Sequence, residues 1–282
     1  MSDEAYIRAE FKRAFGRPPD LQNPKTLNEK IQWLKLYDRT PLHTRCADKY
    51  AVREYVAERA GPEYLVPLLY HTENPADIAP ENLPSPPFVI KTNHAGSAGM
   101  TFVRDKSEID WHRLRKLLAR ELKKNYYYER REWQYKNIRP RILVERMLQD
   151  EAGNSPADYK LYAFNGRFAF AQVDLDRHTR HKRNLYDSAW RRIPCEWLYP
   201  NGPELKRPPM LDTMRAISET IGEEFAMVRV DSYVCDGQLY VGELTFHPES
   251  GCAPFAPDEW DRKLGDMLTL PHPNGKATAH AR

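Results

Sequence analysis

The stretch Val228-Arg-Val-Asp-Ser-Tyr-Val-Cys-Asp-Gly-Gln-Leu-Tyr-Val-Gly-Glu-Leu-Thr245 decides the fold. Apolar and polar residues alternate on both sides of Asp236-Gly237, the pattern of two β-strands joined by a tight turn. One strand carries Arg229 and Asp231, and the return strand carries Glu243. Asp231 and Glu243 stand the same distance in sequence from Gly237. With a three-residue loop or a bulge, the two carboxylates face each other across the hairpin. Like charges directly opposite destabilise a sheet, and a divalent metal turns that cost into a binding site. Mg²⁺ needs only one or two carboxylates when phosphates supply the remaining ligands. The hairpin thus suits a metal-bound polyphosphate, with Arg229 beside it for an anionic group. The alternative is a surface hairpin whose acids face water.

Upstream, residues 4–15 and 27–37 have helical apolar spacing, and a third helix is expected over 47–59, capped by Asp48. Lys49 then sits at the positive end of that helix, where a cation is not favoured, so a contact with an anion is a reason for it to be there. Tyr64 to Tyr70 reads as a short buried strand. Phe88-Val-Ile-Lys91, the glycine loop Asn93 to Gly99 and strand Met100 to Val103 follow. Backbone N–H groups around Gly96, Ser97 and Gly99 can approach phosphate oxygens, and Lys91 supplies a point charge. The pattern is neither a P-loop nor a dinucleotide fingerprint, and a plain tight turn also explains it. A helix is expected over 108–125, a strand over 141–148, a hairpin turning at Asn165-Gly166, and helices over 210–221 and 257–268. Residues 271–282 are polar and are expected to be disordered.

Two further groups carry candidate chemistry. Glu145, at a strand end, and Asp158-Tyr-Lys160 can bind ribose hydroxyls or an adenine amino group, or can pair with Arg146 or Lys160. Asp174-Leu-Asp-Arg-His-Thr-Arg-His-Lys-Arg183 is the densest basic stretch. It is read as a mobile loop closing over phosphates or an acidic substrate, or else as a solvated surface loop.

Composition bounds the reading. The chain has 282 residues with 43 basic and 40 acidic side chains, a net charge of only +3, which does not suggest a nucleic-acid binder. No run of 18 apolar residues marks a membrane span, and the N-terminal MSDEAYIRAEFKRAF lacks an apolar signal core; a cytoplasmic location is expected. The four cysteines have no CxxC spacing and are expected to be buried thiols. No nucleophile elbow and no HExxH occurs. Helices followed by mixed units and then hairpins indicate an α+β protein with two lobes around a cleft.

Taken in order, these pieces resemble the ATP-grasp superfamily of carboxylate–amine ligases, and most closely its TupA-like branch, named for teichuronopeptide biosynthesis. The strings that carry the likeness are Leu27-Asn-Glu-Lys-Ile-Gln-Trp-Leu-Lys-Leu-Tyr-Asp-Arg39, Ala47-Asp-Lys-Tyr-Ala-Val-Arg-Glu-Tyr55, Asn125-Tyr-Tyr-Tyr128, Glu132-Trp-Gln-Tyr-Lys-Asn137, His181-Lys-Arg-Asn184 and Gly242-Glu-Leu-Thr-Phe246. The resemblance implies an ATP-grasp fold, two α+β lobes holding ATP between them: a helical segment over 1–47, then an ATP-grasp domain over 48–270 with its small lobe at 86–148 and its large lobe at 149–270.

It implies ATP and Mg²⁺ as cofactors. Lys49 and Lys91 resemble the lysines that hold the phosphates, and residues 96–99 the loop that covers them. Glu145, Met147 and Leu148 lie in the segment that takes the adenine, and Asp158 with Lys160 lies near the ribose. Asp231 and Glu243 resemble the metal ligands, Arg229 the arginine that steadies an acyl phosphate, and Lys182 a closing residue from the basic loop. Thr245 stands where many such ligases have an Asn metal ligand. Only 46 residues precede Ala47-Asp-Lys49, too few for the βαβ domain at the front of many superfamily members. The implied activity joins an amine or amino acid to a carboxylate, with a uronic acid of a cell-surface polysaccharide as the expected acceptor. Rival readings are a ligase making a small peptide or amide, and a sugar-nucleotide glycosyltransferase using Asp174-Leu-Asp176.

Overall fold

A computed structural model describes residues 1–96, 99–150, 153, 155–176 and 180–272. Its helices are α1 (Asp3–Phe15), α2 (Leu27–Tyr37), α3 (Pro41–Ala47), α4 (Val52–Arg59), α5 (Trp111–Glu121), α6 (Tyr127–Arg130), α7 (Leu211–Gly222) and α8 (Glu259–Asp266). Its strands are β1 (Leu68–Thr72), β2 (Phe88–Thr92), β3 (Thr101–Val103), β4 (Ile142–Arg146), β5 (Asp158–Phe164), β6 (Arg167–Leu175), β7 (Lys182–Tyr186), β8 (Glu196–Trp197), β9 (Met227–Cys235), β10 (Gln238–Thr245) and β11 (Phe255–Ala256).

Two antiparallel sheets organise the lobes. The smaller runs β1-β4-β2-β3 and the larger runs β10-β9-β5-β6-β7. In the small lobe Phe88, Ile90, Ile142 and Val144 pack against Leu114 and Leu118 of α5. The large sheet is covered on one face by α7, α3 and α4, through Met214, Ile221, Cys46 and Val56 against Leu161, Val228 and Val230. On the other face Tyr162 stacks on Phe170 at 4.1 Å and Trp197 on Phe255 at 4.9 Å. Leu27, Ile31 and Leu34 of α2 share this second core, so the N-terminal helices are built into the large lobe.

Helix α2 begins where its sequence says it should. Thr26 Oγ1 accepts from the Glu29 amide, and the Glu29 carboxylate accepts from the Thr26 amide, a reciprocal capping box. The third helix departs from expectation. Expected over 47–59, it starts five residues later as α4, after the separate helix α3, and the Asp48 carboxylate accepts from the Tyr50 amide between them instead of capping α4. An Asx turn competes with continued helix at such a residue. The expected strand at 64–70 starts four residues later, because Pro62–Tyr64 forms a 3₁₀ turn. Of the expected disordered tail, residues 273–282 lie outside the described residues.

Both long hairpins turn on two residues with positive φ, Asn165 (49°) with Gly166 (74°) and Asp236 (52°) with Gly237 (73°), the geometry that matches strand twist. In the second hairpin Val241 faces Ser232 and Glu243 faces Asp231, leaving Gly242 as the extra residue of a bulge. A Cβ at Gly242 would lie 2.4 Å from the Tyr233 ring. Gly242→Ala is therefore expected to cost about 1–3 kcal/mol, read as a lower urea midpoint; an unchanged midpoint would show that the bulge is not tightly packed.

Candidate active site

The bulge sets the geometry. Without it, the period-2 alternation of the strands would send Glu243 to the opposite face from Asp231. With it, Arg229, Asp231, Glu243 and Thr245 share one face of the large sheet. The pairing continues inward, Asp231 opposite Lys160 and Lys160 opposite Gln172. A row of charge thus crosses the sheet on the side facing the small lobe.

Every charge in that row is met by an opposite one. Arg229 donates to both oxygens of Asp231 at 2.6 and 2.7 Å and reaches Glu243 at 3.5 Å. Lys49 Nζ pairs with Glu243 at 2.7 Å and donates to the Ala95 carbonyl at 2.8 Å. Lys160 pairs with Asp158 and lies 3.6 Å from Asp231 and 3.9 Å from Asp174. Asp174 is also bound by Arg183 at 2.7 Å, and Arg183 reaches Glu249 at 2.8 Å. Burial pushes the Asp231 carboxyl up to about 6, against Arg229 and Lys160. Burial also raises Glu243, but Lys49 and Arg229 outweigh it and hold that carboxyl below the usual range. Arg229 is buried as well, yet Asp231, Tyr162 and Glu243 keep it charged.

Across the cleft the small lobe supplies Lys91, whose Nζ lies 2.5 Å from Glu145, while Arg53 of α4 stands 3.7 Å from the same carboxylate. These are the ion pairs of Glu145, in place of the expected Arg146 or Lys160. The cleft is lined by Lys49, Arg53, Val66, Glu145, Val241 and Glu243. A parallel bridge between Leu65 and Val241 ties the lobes beside it. Met147 is buried at the end of β4, and Leu148 packs in a small apolar cluster with Val66, Cys235 and Tyr240. Asn93 anchors the glycine loop: its carbonyl accepts from the Lys49 amide, and its side chain donates to Asp48 and accepts from the Arg141 amide. Gly96 is exposed at the loop. Gly99 has φ 82°, and a Cβ there would lie 3.1 Å from Glu121 Cγ. Ser97 lies outside the described residues.

One predicted residue stands apart. Lys182 belongs to β7 and pairs with Leu175, so it lies on the face away from Asp231, while its neighbour Arg183 joins the buried row. Residues 177–179 of the expected basic loop lie outside the described residues, but Lys182 and Arg183 are strand. Asp174, one acid of the DxD string, pairs with Arg183 and His181 in the same buried row. Sequence reasoning missed Glu249, which joins the row through Arg183 from a distant segment that no spacing rule links to it.

The donor set fits a hard divalent cation shared with phosphates. Asp231 and Glu243 offer carboxylate oxygens side by side with Thr245 next along the strand. Among the described residues, no group of three or more His, Cys, Asp or Glu could hold a metal alone, so the missing ligands would come from a polyphosphate.

Comparison with known proteins gives the family. The family model for TupA-like ATPgrasp proteins matches residues 29–269. The chain belongs to the TupA-like ATP-grasp family. The match starts inside α2 and runs past α8, so most of α2 is part of the family unit of this TupA-like protein. Among solved structures, an L-amino acid ligase from Bacillus licheniformis aligns with TM-score 0.50 and 14% identity, over 89% of this chain and 57% of that one. A D-alanine–D-alanine ligase from Bacillus anthracis aligns with TM-score 0.43 and 17% identity, over 79% of this chain and 65% of that one. The chain thus spans less than two thirds of the length of these proteins, and the likeness is one of fold. No curated protein sequence matches the chain. No helix among the described residues is long and apolar enough to cross a membrane.

Removing one partner of a buried ion pair leaves the other uncompensated, which costs about 3–5 kcal/mol. Asp231→Ala would remove both close hydrogen bonds of Arg229 and leave it the 3.5 Å contact to Glu243. The variant is expected to lose stability of that order in urea unfolding without ligands. A loss under about 1 kcal/mol would show that the pair is solvated like a surface bridge.

Proposed function

We propose that the protein is an ATP-dependent carboxylate–amine ligase that forms an amide through an acyl phosphate. The observation that carries this reading is the paired carboxylates of Asp231 and Glu243, each already neutralised by a cation that a phosphate can take over. Asp231 and Glu243 would hold the Mg²⁺ of MgATP, and Lys49 and Arg229, which neutralise them here, would meet its phosphate oxygens. Lys91 would meet the phosphates from the small lobe. Met147 and Leu148 would border the adenine, with Glu145 held behind them by Lys91 and Arg53, and Asp158 with Lys160 would stand on the ribose side. When bound, Mg²⁺ neutralises charge on the transferring phosphoryl group.

A substrate carboxylate oxygen attacks the γ-phosphorus, and ADP leaves. Arg229 holds the resulting acyl phosphate. An amine nitrogen then attacks the acyl carbon, and inorganic phosphate departs with the C–O bonding pair. The chain's contribution is placement and preorganised charge. Family membership supports a uronic-acid carboxylate of a cell-surface polysaccharide or its precursor as the acceptor, with an amino acid or other small amine as partner. Dependence on MgATP fits a cytoplasmic location. Lys182 has no part in this reading, because its strand face turns it away.

The test is ADP release from MgATP by the purified chain with a uronic acid and a mixture of amino acids, then with each component left out. Release is expected to need both a carboxylate and an amine, and Glu243→Ala is expected to lower it by about a hundredfold or more. Release that persists at the wild-type rate in Glu243→Ala, or that needs neither substrate, would overturn the reading.

A further inference from the structure

A groove of about 620 Å³ lies on the small lobe between α5 and residues 101–110. Phe88 and Ile90 of β2 pack against α5, so strand alternation sends Lys91 to the opposite face of the sheet. The groove is therefore on the far side of the small sheet from the nucleotide cleft. It is lined by Arg113, Lys116 and Arg120. Positions three and four apart share one face of a helix, so these cations form a row about 10 Å long at about 1.5 Å rise per residue. All three are exposed, and so is Lys123 just past the helix end. The side chains of Arg113 and Lys116 make no ion pair among the described residues, and Arg120 reaches Glu121 at 3.4 Å. Arg115 points elsewhere and donates to the Ile78 carbonyl at 3.1 Å.

Positive charge is concentrated in this lobe. Residues 86–148 hold fifteen Lys and Arg against seven Asp and Glu, in a chain whose net charge is +3, so the remainder of the chain is net acidic. Two acids also line the groove. The Asp110 carboxylate caps α5, accepting from the Arg113 amide at 2.9 Å, and Glu108 ends the 3₁₀ turn before it. Both stand at the N-terminal end of α5, and Lys116 and Arg120 lie further along. Half-buried Ile109 and Leu117 give the groove apolar surface, and Thr101 adds a hydroxyl.

A row of cations beside an apolar floor suits a polymer that presents an acid on each repeat and C–H faces between them. The cations are about 4.5 and 6 Å apart along the helix axis, on the scale of one sugar ring. A bilayer surface fits less well. Phe102, the exposed aromatic of β3, is in register with Val89 and so lies on the sheet face away from α5. A peripheral membrane contact needs such an apolar side chain beside its cations.

The groove is joined to the cleft. The end of α5 packs on the glycine loop, where His94 Nε2 donates to the Glu121 carbonyl at 3.2 Å and a Cβ at Gly99 would lie 3.1 Å from Glu121 Cγ. The Ala95 carbonyl of that loop holds Lys49 at 2.8 Å. A chain lying along α5 thus leaves the groove beside the loop that borders the nucleotide cleft.

We propose, resting on the ligase reading, that this groove docks the acidic polysaccharide that carries the acceptor carboxylate. Arg113, Lys116 and Arg120 pair with uronate carboxylates several sugars away from the one that reacts. Holding the same chain raises the effective concentration of its carboxylates at the cleft. The groove touches no reacting atom, and a single uronic acid is too short to use it.

The experiment compares wild type with the triple variant Arg113→Glu, Lys116→Glu and Arg120→Glu. Each is titrated calorimetrically with polygalacturonate, galacturonic acid, dextran, phosphatidylglycerol vesicles and duplex DNA. Wild type is expected to bind polygalacturonate but not dextran, to bind it more tightly per uronate than galacturonic acid, and to release it as salt rises. The triple variant is expected to bind polygalacturonate about tenfold or more weakly, because like charges then face the polymer. It is expected to keep the wild-type urea midpoint and the wild-type affinity for Mg²⁺ with a non-hydrolysable ATP analogue. If charge reversal unfolds the chain, Arg113→Gln, Lys116→Gln and Arg120→Gln together carry the test with the same expectation. Failure of wild type to bind polygalacturonate, equal binding in the variant, or tighter binding of vesicles or DNA would overturn the docking site. Failure of wild type to bind the nucleotide would overturn the ligase reading instead.

Discussion

Two carboxylates held opposite each other on a sheet are the constraint on which the rest of this molecule depends. Asp231 and Glu243 face one another because Gly242 inserts one extra residue into β10. Their mutual repulsion has to be offset before the hairpin can be stable. Arg229 meets it from within the hairpin, and Lys49 meets it from the link between α3 and α4. Lys160, Asp174, Arg183 and Glu249 extend the alternation of charge across the sheet to the turn after β10. Such a network is satisfied but expensive to desolvate, and a packed apolar row would serve stability as well. It is the arrangement expected of a site whose cations change partners when an anionic ligand arrives.

The N-terminal helix α2 gives that site its second wall. Asn28, Gln32 and Lys35 recur at helical spacing and bind the Ala253 carbonyl, the Ser250 and Gly251 carbonyls, and the Ser250 hydroxyl in turn. Gly251 permits the close approach, since a Cβ there would lie 2.6 Å from Gln32 Nε2. On another side of the helix Lys30 Nζ holds the carbonyls of Gly265 and Leu268 at the end of α8. The long polar-rich string at 27–39 is therefore a clasp. Its polar residues fasten backbone groups on the segment that follows β10, and its apolar residues complete the core beneath them.

Local pattern made the hairpins, helix α2 and the face shared by Arg229 and Asp231 legible in the sequence. The opposition of Asp231 and Glu243 was legible only conditionally. Both a longer loop and a bulge satisfied the spacing, and the Tyr233 ring against Gly242 is a tertiary fact that selects the bulge. Lys182 shows the opposite failure. The basic stretch was read as loop, but its end is strand β7, and alternation places Lys182 and Arg183 on opposite faces. Lys35 and Ser250 were invisible for a different reason: each sits in a segment with an adequate local explanation, and only the fold makes them neighbours. The late start of the helix expected over 47–59 turned on Asp48, whose side chain bonds the Tyr50 amide and the Asn93 side chain instead of a helix N-terminus.

The central claim is that these acids await a metal carried by a polyphosphate. The most direct measurement is a calorimetric titration of the wild-type chain with a non-hydrolysable ATP analogue, once with Mg²⁺ and once with a chelator. The account predicts tight binding with Mg²⁺ and binding weaker by about tenfold or more without it, because Asp231 and Glu243 then repel the phosphates. Equal affinity in the two titrations, or no binding in either, would contradict it.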